Sequence, residues 1–230
     1  MNSFNTFVDK ITKNQKLSID SDATYLELIK PSSRSIRRKR NSFKKSYDYL
    51  LEDGDFFYFQ FASLTLDWEY TAAPYKFVTG GFTFNGMIDA LTFYSDFWKG
   101  AFSLAPDAVV PDHLKKFEQL GWFERQYRDD KRIGCFVKQP GVFPPQIAFY
   151  NRGWFQITDW TFEEYLEKML RMYAVKGWQF FFIDFDKAMP YWQEALDDMK
   201  NAAELMPEIF EDEDWAWHQL HYEEVCKKLG

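Results

Sequence analysis

Between residues 80 and 153 turn-forming residues interrupt the chain every few positions: Gly80-Gly81, Asn85-Gly86, Pro106-Asp107, Gly121, Asp129-Asp130, Pro140-Gly141 and Pro144-Pro145. The segments between them are short and rich in β-branched and aromatic residues, as over 131–137 and 146–150. Short, regularly spaced strands with turn signals between them predict an antiparallel sheet. Asn151-Arg152-Gly153 predicts a hairpin turn joining residues 146–150 to residues 154–157.

Helical patterning lies on either side. Thr161 and Glu164 have capping-box spacing. Phe162, Tyr165, Leu166, Met169, Leu170 and Tyr173 then continue a face of 3.6-residue period, with Gly177 expected to end it. Residues 184–214 are strongly acidic and read as helices starting near Pro190 and Pro207. Near the N-terminus, Phe4, Phe7, Val8 and Ile11 form the apolar face of a short helix. A second helix is expected over residues 24–29, ending at Pro31. Residues 34–45 carry Arg34, Arg37, Arg38, Lys39, Arg40, Lys44 and Lys45 without one acidic residue. The aromatic run over residues 56–70 either finishes a buried helix or begins a sheet, and periodicity alone leaves both open.

This order of elements predicts an α+β fold: a central antiparallel β-sheet flanked by helices, with a C-terminal helical extension. At 230 residues the chain reads as a single domain, 1–230. Its parts are N-terminal helices and a basic loop (1–45), a core (46–185) and an acidic helical extension (186–230). A domain of this size buries roughly 70% of the surface its unfolded chain exposes and needs no disulfide or metal to fold.

Charge narrows the function classes. Lysine and arginine number 28 against 35 aspartates and glutamates, a net charge of −7 that argues against a general polyanion binder. The two cysteines, Cys135 and Cys226, support neither a disulfide framework nor a four-cysteine zinc site, and they fit a reducing compartment. No stretch approaches the roughly 18 apolar residues of a membrane span. Residues 1–14 lack the apolar run and cleavage site of a signal peptide. The expectation is a soluble cytoplasmic protein.

A search for chemistry assigns no catalytic residue. There is no phosphate-binding glycine loop and no Gly-x-Ser-x-Gly elbow. His218 and His221, with Glu224 beyond them, lack further ligands nearby. They read as part of an exposed helix, so neither a metal nor a cofactor is assigned. Asp67 with Glu69, and Asp184 with Asp186, would each face one side of a strand, an arrangement that acid–base chemistry uses. Trp68 and Tyr70 would suit stacking on a sugar. The wet face of an antiparallel sheet accounts for the same alternation. Cys135 reads as a small buried hydrophobe in a strand. The basic stretch has only Phe43 among its charges, so it reads as a solvated loop, or an internal partner for the acidic C-terminal part, rather than a nucleic-acid arm.

The acidic segment carries Glu194, Asp197, Asp198, Glu204, Glu208, Glu211, Asp212, Glu213 and Asp214, interspersed with Trp192, Trp215 and Trp217. Helices with tryptophans inward and carboxylates outward account for this pattern. A negative surface that steers a basic partner is compatible with it. Glu211, Asp212, Glu213 and Asp214 are the candidate partner-binding patch.

Three segments in order carry a family resemblance: FYFQFASLTLDWEY (57–70), GGFTFNGMIDALTFYSDFW (80–98) and PPQIAFYNRGWFQITDWTFEEYLEKMLRMYAVKGWQFFF (144–182). Together they resemble the SUKH superfamily, which includes yeast cell-wall-synthesis regulators and many bacterial toxin-immunity proteins. The most telling piece is a strand, a turn and a second strand followed by TFEEYLEKML and GWQ. The similarity spans residues 45–185, and its motifs are packing residues. A Leu-Pro-x-x-Tyr opening is absent, and residues 191–230 have no counterpart. The resemblance implies an α+β scaffold without shared catalytic residues. It also implies a binding role: occlusion of a cognate protein toxin, often a nuclease. Other readings stay open: a regulatory or scaffold protein of the same fold, a carbohydrate-binding or hydrolytic module at Asp67, Trp68, Glu69 and Tyr70, or nucleic-acid binding through residues 34–45.

Overall fold

Among the described residues seven strands run antiparallel in chain order across one sheet: β1 (Ser18–Ile19), β2 (Thr65–Ala73), β3 (Lys76–Phe84), β4 (Leu120–Gln126), β5 (Asp129–Val137), β6 (Ile147–Asn151) and β7 (Trp154–Ile157). Around them lie α1 (Asn2–Thr12), α2 (Ser33–Tyr47), α3 (Met87–Thr92), α4 (Asp96–Ala101), α5 (Phe162–Arg171), α6 (Trp192–Ile209) and α7 (Ala216–Leu229). The fold is α+β with a helical C-terminal part. This computed structural model describes all residues except 1, 29–32, 62, 74–75, 93–95, 103–108 and 127–128. The turn expected at Pro106-Asp107 and the stop expected at Pro31 lie outside the described residues.

The sheet is two ladders with a narrow joint. β2 and β3 pair along their length, whereas β3 meets β4 only at Thr83↔Arg125 and Phe84↔Glu124. Past this joint the edge of β3 bonds to the segment after α5 instead. The Gly81 amide donates to the Ala174 carbonyl at 2.9 Å, and the Lys176 amide donates to the Thr79 carbonyl at 2.8 Å. From the other ladder, the Gln126 amide group donates to the Val175 carbonyl at 3.3 Å and accepts from the Gly177 amide at 3.4 Å. Tyr173 and Ala174 adopt left-handed backbone, φ 53° and 51°, which turns the chain out of α5 and into this gap.

That wedge explains the glycines. Gly80 and Gly81 lie inside β3, not at a turn. A Cβ on Gly80 would sit 2.2 Å from the Trp68 indole, whose Nε1 reaches across to donate to the Tyr173 carbonyl at 3.0 Å. Gly121, also expected at a turn, lies inside β4, where a Cβ would fall 1.5 Å from the Ala90 carbonyl oxygen of α3. At these sites glycine serves close approach of a neighbouring indole or backbone rather than reversal of the chain. The β6–β7 hairpin is as expected: Arg152 and Gly153 form a two-residue loop with φ 45° and 89°, the signs of a type I′ turn.

β6 shows how the sheet is buried. Ile147 and Phe149 face the large cluster with the flanking helices, while Ala148 and Tyr150 face a smaller one with Trp98 and Phe117. The large cluster runs through all three parts of the chain, from Phe4 and Phe43 through Phe82, Phe149 and Trp178 to Met199, Trp215 and Leu229. The C-terminal helices are therefore built into the core rather than appended to it.

Several helices differ from the sequence expectation. The capping box at α5 forms: the Glu164 amide donates to Thr161 Oγ1 at 3.2 Å, and the Thr161 amide donates to Glu164 Oε2 at 2.7 Å. The helix stops at Arg171, however, and Gly177, φ 78°, opens a separate 3-10 turn over Trp178–Phe181. Pro207 does not start a helix but lies in the last turn of α6. A proline cannot donate to the carbonyl four residues back; here that carbonyl, Ala203, accepts from the Gln219 side chain of α7 at 3.4 Å. Residues 24–28 are extended rather than helical. Tyr25 pairs with Thr65, and Leu26 and Leu28 pack against the core while Tyr25 and Glu27 are exposed, a period of two. The aromatic run divides between a 3-10 turn, Gly54–Phe59, and β2.

The basic stretch is the solvent face of α2, not a loop. Phe43 and Tyr47, one turn apart, are buried, and the Tyr47 hydroxyl accepts from the Gln139 amide at 2.9 Å. Arg40 pairs with Asp53.

Candidate partner-binding loop

Residues 210–215 join α6 to α7. Phe210 closes α6, its amide donating to the Met206 carbonyl at 2.9 Å. The Phe210 ring lies flat on Tyr173, centroids 3.7 Å apart at 14°. Trp215 is buried, and its indole N–H returns to the Phe210 carbonyl at 3.0 Å. The Glu213 amide bonds to that same carbonyl at 3.2 Å, and Asp214 Oδ1 accepts the Ala216 amide at 3.0 Å. Two aromatic anchors and these bonds fix the loop from beneath.

The four candidate acids divide into two kinds. Glu211 pairs with Lys16, and Glu213 pairs with Lys10, both lysines coming from the N-terminal part. Glu213 also accepts from the Tyr173 hydroxyl at 2.8 Å. The hydrogen bond from Lys10 holds the Glu213 carboxyl below the usual carboxylate range despite partial burial, and Lys16 does the same for Glu211. Conversely, Glu213 raises Lys10, while burial and this carboxylate push Tyr173 up to about 12. Asn14 ties the end of α6 by donating to the Ile209 carbonyl at 2.9 Å. Asp212 and Asp214 are exposed, and neither has an ion-pair partner among the described residues. Beside them opens a cleft of about 330 Å³ lined by Lys10, Lys16, Tyr173, Phe210, Asp212 and Glu213. The arrangement presents fixed carboxylates over an aromatic floor.

The remaining candidates do not converge. Asp67 and Glu69 do share the wetter face of β2, but Trp68 and Tyr70 point into the core, so carboxylates and aromatics lie on opposite faces. This removes the sugar-stacking arrangement. Asp184 and Asp186 are not in a strand; Asp184 pairs with Lys228, and Asp186 accepts the Ala188 amide at 2.8 Å. His218 is buried rather than exposed, with ring contacts of 4.7 Å to both Trp215 and Trp217. Burial pushes its pKa down to about 4. Among the described residues no group of three or more metal-ligating side chains gathers. Cys135 is fully buried in β5, and burial pushes its thiol well up.

Sequence reasoning missed the polar seam under α5 and α6. Arg132, 2% exposed, reaches from β5 to Asp198 of α6 at 2.6 Å, and Lys176 joins the same carboxylate at 3.5 Å. Glu124 is fully buried and accepts from the Tyr165 hydroxyl at 2.7 Å. No local signal singled them out: Glu124 stands beside Arg125 in β4, and Arg132 follows Asp129, Asp130 and Lys131 in β5, and only the covering of both sheet faces makes these two charges demand partners. Comparison of the chain with family models, with curated proteins and with solved structures gives no match.

Proposed function

We propose that this chain is a non-enzymatic binding protein of the immunity type, acting in the cytoplasm, which neutralises a cognate protein toxin by occluding it. The partner-facing patch is Glu211, Asp212, Glu213 and Asp214. The observation that carries the reading is the division within this loop: Lys10 and Lys16 hold two carboxylates in place, and Asp212 and Asp214 stay exposed beside them. A loop already ordered loses little conformational entropy on binding. Exposed acids on a chain of charge −7 accelerate encounter with a basic partner at low salt. In a nuclease cleft such carboxylates take the place of substrate phosphates. The segment order that resembles the SUKH superfamily supplies the toxin class.

The test is capture followed by co-expression. The tagged chain is used to capture a stoichiometric partner from native lysate across a salt series. That partner is then expressed alone and together with this chain. A partner that arrests growth alone, and is harmless when the chain is present, is the expected result. A stoichiometric partner without toxicity moves the protein to a scaffold role, and nucleic acid lost at moderate salt moves it to α2; either overturns the proposal.

A further inference from the structure

β7 closes one end of the sheet, and among the described residues no strand pairs with its outer edge. Asn151↔Trp154 closes a two-residue hairpin, and the Thr158 amide donates to the Ile147 carbonyl at 2.8 Å. In an antiparallel ladder the bonded pairs alternate, so Trp154, Gln156 and Thr158 bond inward to β6. The amides and carbonyls of Phe155 and Ile157 therefore point away from the sheet. Among the described residues they bond to nothing. Natural edges are blunted by short length, charge or proline. The opposite edge, β1, is two residues long. β7 reads WFQI, four residues with no charge and no proline, and Ile157 is 43% exposed.

We propose that β7 is a self-association edge, on which a second copy of this chain adds its own β7 antiparallel about a two-fold axis. The occupant follows from self-complementarity. Setting Gln156 opposite Gln156 of the second copy makes Phe155 face Ile157 twice, and all four outward-pointing amides find carbonyls. The pairing brings no like charges together, and the two side-chain amides on the axis can bond to each other. The contact lies on the sheet edge, not on the α6–α7 loop, and does not depend on what that loop binds.

The test is sedimentation velocity of the full chain over a concentration series at moderate salt. The expected result is a monomer–dimer equilibrium. Gln156→Lys and Gln156→Glu each set like charges face to face on the axis and should weaken the dimer roughly tenfold or more. An equimolar mixture of the two should restore it, which a variant that had merely unfolded cannot do. Ile157→Pro, which removes an outward amide without touching the β6 ladder, should weaken it as well. A wild-type chain that stays monomeric at the highest concentration overturns the proposal. So does a dimer indifferent to all three substitutions. A monomer whose partner binding is lost in Gln156→Lys would give the edge to that partner and overturn it too.

Discussion

The basic helix and the acidic C-terminal segment are the two densest runs of charge in the chain, and the fold treats them oppositely. On α2 Arg34, Arg37, Arg38, Lys44 and Lys45 are exposed and Lys39 and Arg40 half-buried, while Phe43 and Tyr47 one turn apart do the packing. In the acidic segment the carboxylates themselves are structural: Asp198 meets buried Arg132, Glu213 meets Lys10 and Tyr173, and Glu194 meets Arg152. The difference lies in what is opposite. α2 needs only an apolar stripe facing inward. The acidic helices cover strands and an N-terminal helix that carry cations of their own. Among the described residues Asp212 and Asp214 are the loop acids left exposed without an ion pair, and on the proposed reading theirs is the charge that a partner meets.

The largest effect should come from the acid bound deepest. Asp198→Ala removes the partner of a buried guanidinium and should cost about 3–5 kcal/mol, read as a fall in the denaturant midpoint. An unchanged midpoint would mean that the carboxylates of this segment are as peripheral as the cations of α2. His218, beneath the same segment, should shape the acid limb of stability. Its folded pKa of about 4 lies below its ordinary 6.5, so the unfolded chain binds the extra proton between those values. Stability should therefore fall as pH drops from 6.5 to 4, by roughly 3 kcal/mol. Unfolding curves at several pH values should show a shallower decline in His218→Leu.

Smaller effects should follow at the loop. Lys10→Met and Lys16→Met should each cost less than about 1 kcal/mol, since the pairs are partly exposed. They should still speed amide exchange across residues 210–215. The lysine contacts should also loosen at both ends of the pH scale. The depressed Glu213 and Glu211 contribute stability above the ordinary carboxylate value of 4.5 that is lost in acid. The raised Lys10 contributes stability below 10.5 that is lost in alkali. The smallest effect belongs to α2: Arg37→Gln, Arg38→Gln, Lys44→Gln and Lys45→Gln should each stay within about 0.5 kcal/mol of wild type. A larger loss at any of them would show that α2 resembles the acidic segment after all.

Much of the fold, though not this contrast, was legible in the sequence. Periodicity identified α1 and α5, the capping box at Thr161 and the Arg152-Gly153 hairpin, because each depends on neighbours within a few residues. The α+β class followed from the order of such pieces. Gly80, Gly81 and Gly121 misled for a physical reason: their local signature is that of a turn, while their cause is Trp68, Leu66 and Ala90 approaching from elsewhere. Pro207 misled in the same way, since Gln219 takes up the carbonyl it frees. In the loop, composition marked all four acids alike. That Lys10 and Lys16 claim two of them depends on α1 lying beside the α6–α7 corner, which no local pattern encodes.

The central claim, that the carboxylates left over by the fold serve a partner, is tested by quantitative capture from one native lysate. The baits are the wild-type chain, the double variant Asp212→Asn with Asp214→Asn, and the double variant Lys44→Gln with Lys45→Gln. Retention of a stoichiometric protein by wild type and by the lysine variant, with loss or steep weakening in the aspartate variant, is the predicted result. Equal retention by all three baits would contradict it.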